Sequence, residues 1–306
     1  MPRSLLLALY LAVVSFWGTT WFAIKTAVAT VPPITASGLR FAIAFPVLAL
    51  IITRLPGVQL RYPPGHRRLF ALITAAYFVV PFALMNLGSA AVPSGLAAVL
   101  FATVSIFIMV FSVPLLGTAI TARQAIGIGV ALAALAALIA NQIGLGGDAH
   151  PLGVLALLAA AMLHALVYVL LKRDAGAISP FTLNALPMGL AGVILCATGV
   201  LAEHPDPATF GGDSLIALLY LGAIASVIGF LAYFQLLRHL RPVQLSLVFV
   251  FFPLVAQLTA VIAGERPMGT TSLLLLVLVL LASMLALTGG RTPKPKRPLV
   301  PALATR

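Results

Sequence analysis

The sequence predicts an all-α integral membrane protein, with ten transmembrane helices in two inverted five-helix repeats and both termini in the cytoplasm. Three observations carry this prediction. Hydrophobic residues make up 62% of the 306-residue chain and charged residues only 8%, against about 25% charged in an average soluble domain. So little charge cannot cover a water-facing surface, and lipid as the outer solvent removes the mismatch. Basic residues gather in alternate connections, and the two halves of the chain align on each other.

In chain order the apolar stretches are α1 over 4–29, α2 over 34–54, α3 over 69–90, α4 over 93–114 and α5 over 121–141. They continue as α6 over 151–172, α7 over 180–201, α8 over 213–237, α9 over 243–264 and α10 over 270–289. A helix of about 20 residues, at 1.5 Å rise, spans a hydrocarbon core of about 30 Å. Pro32-Pro33, Pro63-Pro64, Pro93, Pro151, Pro180, Pro242 and Pro267 stand at junctions, where a helix start does not need the missing N–H. Short connections make sequential helices antiparallel neighbours. Arg3 ahead of an apolar stretch, with Ala27-Val28-Ala29 after it, has the outline of a secretion signal. The stretch is longer than a signal core and carries Trp17, Trp21 and Lys25, so it is read as the first membrane helix. Residues 290–306, rich in Pro, Lys and Arg, are expected to form a disordered basic tail.

The formal net charge is +12. Its placement in short connections and a tail excludes nucleic acid as the partner. Arg3, Arg54, Arg61, Arg67, Arg68, Arg123, Lys172, Arg173, Arg238, Arg241 and the tail fall on one side of the ten-span arrangement. The other side carries Asp148, Glu203, Asp206, Asp213 and Glu265, with Arg266 as its one basic residue. The positive-inside rule then puts the basic side and both termini in the cytoplasm. Arg outnumbers Lys 14 to 4 and Ala is abundant, which by association points to a bacterial plasma membrane.

At an offset of 147, Trp21 falls on Tyr168, Lys25 on Lys172, Pro33 on Pro180, Thr35 on Thr182 and Leu39 on Leu186. At an offset of 149, Asn86 falls on Gln235, Pro93 on Pro242 and Leu96 on Leu245. The expected units are therefore 1–141, 151–289 and the tail 290–306. Five helices per unit is an odd number, so the second copy enters the membrane in the opposite sense. Inverted repeats with a midplane site at their interface are the architecture of many secondary transporters.

Polar and aromatic residues inside spans are informative because lipid makes them costly. Trp17, Trp21 and Lys25 share one face of α1. Trp17 lies near mid-depth, either packed in a helix interface or facing a cavity, and Trp21, nearer the outside, belongs either to the outer aromatic belt or to the aromatic faces of the cavity. Lys25 either snorkels outward or lines the cavity. Arg40 lies about 9 Å below the outer end of α2, and no acid is available within the spans to pair with it. It binds either backbone carbonyls or a substrate carboxylate or phosphate. His164 and Tyr168 are the counterparts of Trp17 and Trp21 in α6. His164 can be a packing residue, a cavity contact or a proton carrier. Tyr77, Asn86, Ser105, Ser226 and Gln257, with Tyr233, complete the candidates, each also readable as a helix–helix hydrogen bond. Pro46, Pro81, Pro187 and Pro253 fall within spans, as hinges or passive kinks. The rows of small and aliphatic residues in α5 and α10 read as peripheral scaffold or oligomer contacts. Cys196, the one cysteine, reads as a packing residue.

No phosphate-binding loop, metal-spaced His/Cys set or nucleophile elbow is present in the sequence. An enzyme, a cofactor and a metal are accordingly not expected. No Asp or Glu lies within a predicted span except Asp213, which stands at the very edge of α8, and this speaks against coupling through a membrane carboxylate.

Trp17-Gly18-x-x-Trp21-Phe22-x-x-Lys25, Leu39-Arg40-Phe41, Pro93-Ser94-Gly95-Leu96-Ala97-Ala98 and Gly264-Glu265 follow in order. With ten spans in two repeats, this pattern resembles the drug/metabolite transporter superfamily, EamA type, over about residues 5–289. The resemblance implies a central cavity between α1–α4 and α6–α9, and often export of amino acids or related metabolites. Pro187 stands where the first repeat has Arg40, so a symmetric pair of cationic contacts is not implied. The function expected is export of small zwitterionic or anionic metabolites by a monomer, or by a homodimer through α5 and α10, in contact with membrane lipid. A lipid or lipid-linked sugar flippase and a non-transporting scaffold are the alternatives.

Overall fold

The computed structural model of the chain describes residues 2–144, 149–175, 178–240 and 247–288. Among these there are helices and connecting turns and no strand. The spans observed are α1 Arg3–Ala27, α2 Pro33–Arg54, α3 Arg67–Ala90, α4 Ser94–Leu116 and α5 Ala122–Gly144. They are followed by α6 Pro151–Asp174, α7 Pro180–Glu203, α8 in three pieces from Gly212, α9 Val248–Ile262 and α10 Thr270–Thr288. Nine of these are long and apolar enough to cross a membrane, and α9 as described is shorter. Pro242, Leu245, Arg241, Asp148 and the basic tail lie outside the described residues. Pro33, Pro151 and Pro180 each occupy the first turn of a helix, where proline needs no hydrogen-bond partner.

The packing follows a regular exchange. Helix α1 packs on α8 and α9, and α6 packs on α3 and α4. Helix α2 packs on α8, and α7 packs on α3; α2 and α7 also pack on each other, as do α4 and α9. Swapping the first five helices for the last five turns each of these contacts into another.

Helices α5 and α10, expected as peripheral scaffold or oligomer contacts packed through small residues, pack against each other. A Cβ on Gly127 would stand 2.7 Å from the Ala286 nitrogen and 2.9 Å from the Ala282 oxygen. The backbones therefore touch, as small residues allow. Asn141 Nδ2 and Gln142 Nε2 both donate to Ser272 Oγ, at 2.6 and 2.9 Å, and fix the register.

Two spans carry π-helical stretches the sequence reading did not anticipate: Ile73–Val79 in α3 and Tyr220–Ile228 in α8. Their first residues are 147 apart, the offset of the sequence repeat. In α3 the cause is local. Pro81 has no N–H to offer the Tyr77 carbonyl, so the turn before it widens. Helix α8 has no proline there. Its π stretch instead brings Gly222 onto α2, where a Cβ would meet Ile43 at 2.6 Å and the Arg40 oxygen at 3.0 Å.

Candidate substrate cavity

A cavity of about 80 Å³ lies among α1, α2, α3, α4, α6, α8 and α9. Six of the expected residues line it: Trp17, Trp21, Arg40, Tyr77, His164 and Tyr168. The wall is completed by Thr20, Phe82, Met85, Phe101, Phe249 and Phe252, together with Ala225. Sequence reasoning missed these because an apolar side chain in a span gives no contrast between its lipid-facing and inward faces.

The motif in α1 has a packing cause. A Cβ on Gly18 would meet Val255 at 2.5 Å and the Phe252 oxygen at 2.9 Å, so glycine lets α9 close on α1 between the two tryptophans. Trp17 then lies 5.0 Å from Tyr233 and 5.8 Å from Phe249, measured between ring centroids. Trp21 is 3% exposed and packs on Phe101 and Phe252. It is a cavity wall and not part of the outer aromatic belt, because α4 and α9 cover it.

Arg40 is 5% exposed. Its Nε donates to Ser226 Oγ of α8 at 2.9 Å, and its guanidinium carbon stands 5.0 Å from the Phe82 ring centroid. Its Nη1 is buried with no hydrogen-bond partner among the described residues. An arginine at membrane depth costs about 3 kcal/mol on insertion scales. One hydroxyl bond and one ring face, the latter contributing about 0.5–2 kcal/mol, leave the fork unfilled.

On the facing side, the Tyr77 and Tyr168 hydroxyls are 2.9 Å apart. The His164 ring lies 4.6 Å from Tyr77, tilted, and 5.1 Å from Phe101, edge to face, between ring centroids. Its Nδ1 lies 3.0 Å from the Ala160 carbonyl. A carbonyl only accepts, so Nδ1 carries a proton, and in the neutral ring Nε2 is the acceptor.

Five of the expected contacts lie off the cavity wall, each for a visible reason. Asn86 Nδ2 donates to the Pro33 carbonyl at 3.1 Å, tying α3 to the start of α2. Ser105 donates to the Ala102 carbonyl in its own helix at 3.0 Å. Lys25 stands 3.8 Å from Glu265 at the helix end, and Gln257 presses on Gly95 in a separate cavity. Ser226 reaches the cavity through Arg40.

The acidic residues have a role that the charge count did not reveal. Glu203, at the end of α7, accepts the N–H groups of Ile34 and Thr35 and the Thr35 hydroxyl, each at 2.8 Å. Glu265 accepts the Ser94 N–H at 3.0 Å. Two acids from the second half therefore cap the N-termini of α2 and α4 in the first half, where a helix end attracts negative charge.

A cavity walled by membrane helices, with an arginine fork and aromatic faces inside it, defines a membrane carrier of small solutes. The chain belongs to the EamA-like transporter family, whose sequence profile matches residues 4–140 and again 151–288. It is 39% identical to the protein PagO of Salmonella typhimurium over 94% of this chain and 95% of that one. An uncharacterized transporter of Buchnera aphidicola is 34% identical, over 84% of this chain and 85% of its own length. The uncharacterized inner membrane transporter YedA of Escherichia coli is 29% identical, over 96% and 93%. A solved crystal structure with 20% identity shares the fold, with a TM-score of 0.67 over 95% of this chain and 100% of that one. The protein is thus a multi-pass inner-membrane transporter, and not an enzyme.

Proposed function

We propose that the protein exports small zwitterionic or anionic metabolites, amino acids or close relatives, by alternating access between two inverted five-helix halves. The observation that carries this reading is the Arg40 guanidinium, buried in the cavity with Nη1 unfilled. A carboxylate fits that fork, and the faces of Trp17, Trp21 and Tyr77 suit an ammonium group. Size separates a small solute from a lipid. At about 10–15 Å³ per water, the cavity of about 80 Å³ holds roughly five to eight waters. That matches a small amino acid better than an acyl chain. None of the described Asp and Glu residues lines the cavity, so downhill flux or exchange fits better than coupling through a membrane carboxylate.

The contact exchange between halves and the paired π stretches support the inverted arrangement, and the sided charges support cytoplasmic termini. Reporter fusions at Arg67–Arg68 and at Asp206 are expected to report opposite compartments. For transport, liposomes holding the purified protein are expected to exchange labelled amino acids. No flux across a panel of amino acids, organic acids and nucleotides would remove the proposal.

A further inference from the structure

The molecule holds a second cavity, of about 320 Å³, where the start of α4 meets the end of α5 and the α9–α10 connection. Its wall includes Asn141, Gln142, Gln257, Glu265, Arg266 and Ser272, and it shares no lining residue with the cavity around Arg40. One side is internally satisfied, since Asn141 and Gln142 both donate to Ser272. The other side is not. Glu265 Oε1 and Gln257 Oε1 are buried with no hydrogen-bond partner among the described residues. Glu265 uses its other oxygen to cap Ser94, and Lys25 stands 3.8 Å from that oxygen, longer than a charge-assisted bond of about 2.7–2.9 Å.

Buried acceptors without donors are rare and costly, and a carboxylate most of all. What satisfies a carboxylate and an amide oxygen together is a cation with several N–H donors, and a primary ammonium carries three. Arg266 follows Glu265 in the chain and lines the same cavity. It is exposed and makes no ion pair among the described residues. Its fork suits a carboxylate on the far side of the same ligand. We propose that this cavity is a second solute site, one that takes a small α-amino-acid-type zwitterion with its ammonium on Glu265 and Gln257 and its carboxylate on Arg266. At about 10–15 Å³ per water, the space holds roughly 20 to 30 waters, enough for an amino acid with part of its hydration. A solute would rest there while the Arg40 cavity is closed to it.

The test uses the full-length protein in nanodiscs and titration calorimetry. The probes are L-alanine and its two half-molecules, ethylamine and propionate. The background is Arg40→Gln, which disables the other cavity. Alanine is expected still to bind in that background. Glu265→Gln, which keeps an oxygen for the Ser94 cap, is expected to weaken alanine and ethylamine about tenfold or more. Arg266→Gln is expected to weaken alanine and spare ethylamine, and Gln257→Leu checks the amide independently should the Glu265 variant fail to fold. Loss of all alanine binding on Arg40→Gln alone would overturn the second site while leaving the Arg40 cavity standing. Alanine affinity indifferent to Glu265→Gln, Arg266→Gln and Gln257→Leu would overturn it as well. Binding at this site with no transport in any variant would instead count against the Arg40 cavity.

Discussion

Helices α2 and α7 hold the same place in the two halves and pack on each other, yet the chemistry is all on one of them. Thr35 of α2 and Thr182 of α7 are counterparts at an offset of 147, and each hydroxyl bonds the far end of the facing unit. Thr35 meets the Glu203 carboxylate, which also takes two backbone N–H groups, while Thr182 meets the Gln59 carbonyl at 2.6 Å. Seven residues into α2 stands Arg40, and seven residues into α7 stands Pro187. A near-symmetric scaffold thus carries a one-sided site. On the proposed function, symmetry in packing supplies two equivalent ways to close the bundle, and asymmetry in charge gives a bound solute a single orientation.

The sharpest way to break this comparison is to remove the charge from α2. Losing one partner of a buried charged pair costs about 2–5 kcal/mol. Arg40→Gln is therefore expected to cut transport of a carboxylate substrate by a hundredfold or more in liposome flux assays. Arg40→Lys keeps the charge and loses the fork, and is expected to fall between Arg40→Gln and the parent protein. Undiminished flux in Arg40→Gln would show that the asymmetry between α2 and α7 is structural and not a substrate contact.

The next effect is on stability. Glu203→Ala strips three hydrogen bonds from the start of α2 and is expected to cost about 1–3 kcal/mol, read as a fall in Tm in detergent. Thr182→Val removes one neutral bond at the corresponding end of α7 and is expected to cost about 1 kcal/mol or less. Equal losses from the two would mean that the carboxylate adds nothing over a backbone carbonyl. The two junctions would then hold with the same strength.

The ten spans were legible because hydropathy and helix length are local properties. Every described boundary except the start of α9 falls within a few residues of the expected position. The cavity was half legible. Trp17, Arg40, His164 and Tyr168 stood out because each is costly in lipid and lies away from the helix ends. Phe82, Phe101, Phe249 and Phe252 did not, because the same residue serves equally well facing lipid. Trp21 stayed open between the outer belt and the cavity, since depth along one helix says nothing about which neighbour covers it. Glu203 was read as charge on one side and Glu265 as charge and as part of the Gly264-Glu265 pair, whereas their partners are the N-termini of α2 and α4, about 170 residues away in sequence. Distance in sequence hid that pairing. The π stretches left one trace, Pro81, which marks a local effect on the backbone but does not say that the turn widens rather than kinks.

The smallest expected effect concerns the bond that seats Arg40. Ser226 of α8 donates no charge and only accepts the Arg40 Nε–H. Its counterpart at an offset of 147 is Val79 of α3, just as the counterpart of Arg40 is Pro187. The counterparts of the polar pair between α2 and α8 are thus both apolar in α7 and α3. Ser226→Ala is expected to raise KM for a carboxylate substrate about three- to tenfold, in line with the loss of about 1 kcal/mol of positioning, with the maximal rate kept because Phe82 still faces the guanidinium. Ser226→Val, which installs the residue found in α3, is expected to do the same. If either substitution abolished flux as fully as Arg40→Gln, the serine would be a substrate contact in its own right, and the one-sidedness of the cavity would extend from α2 into α8.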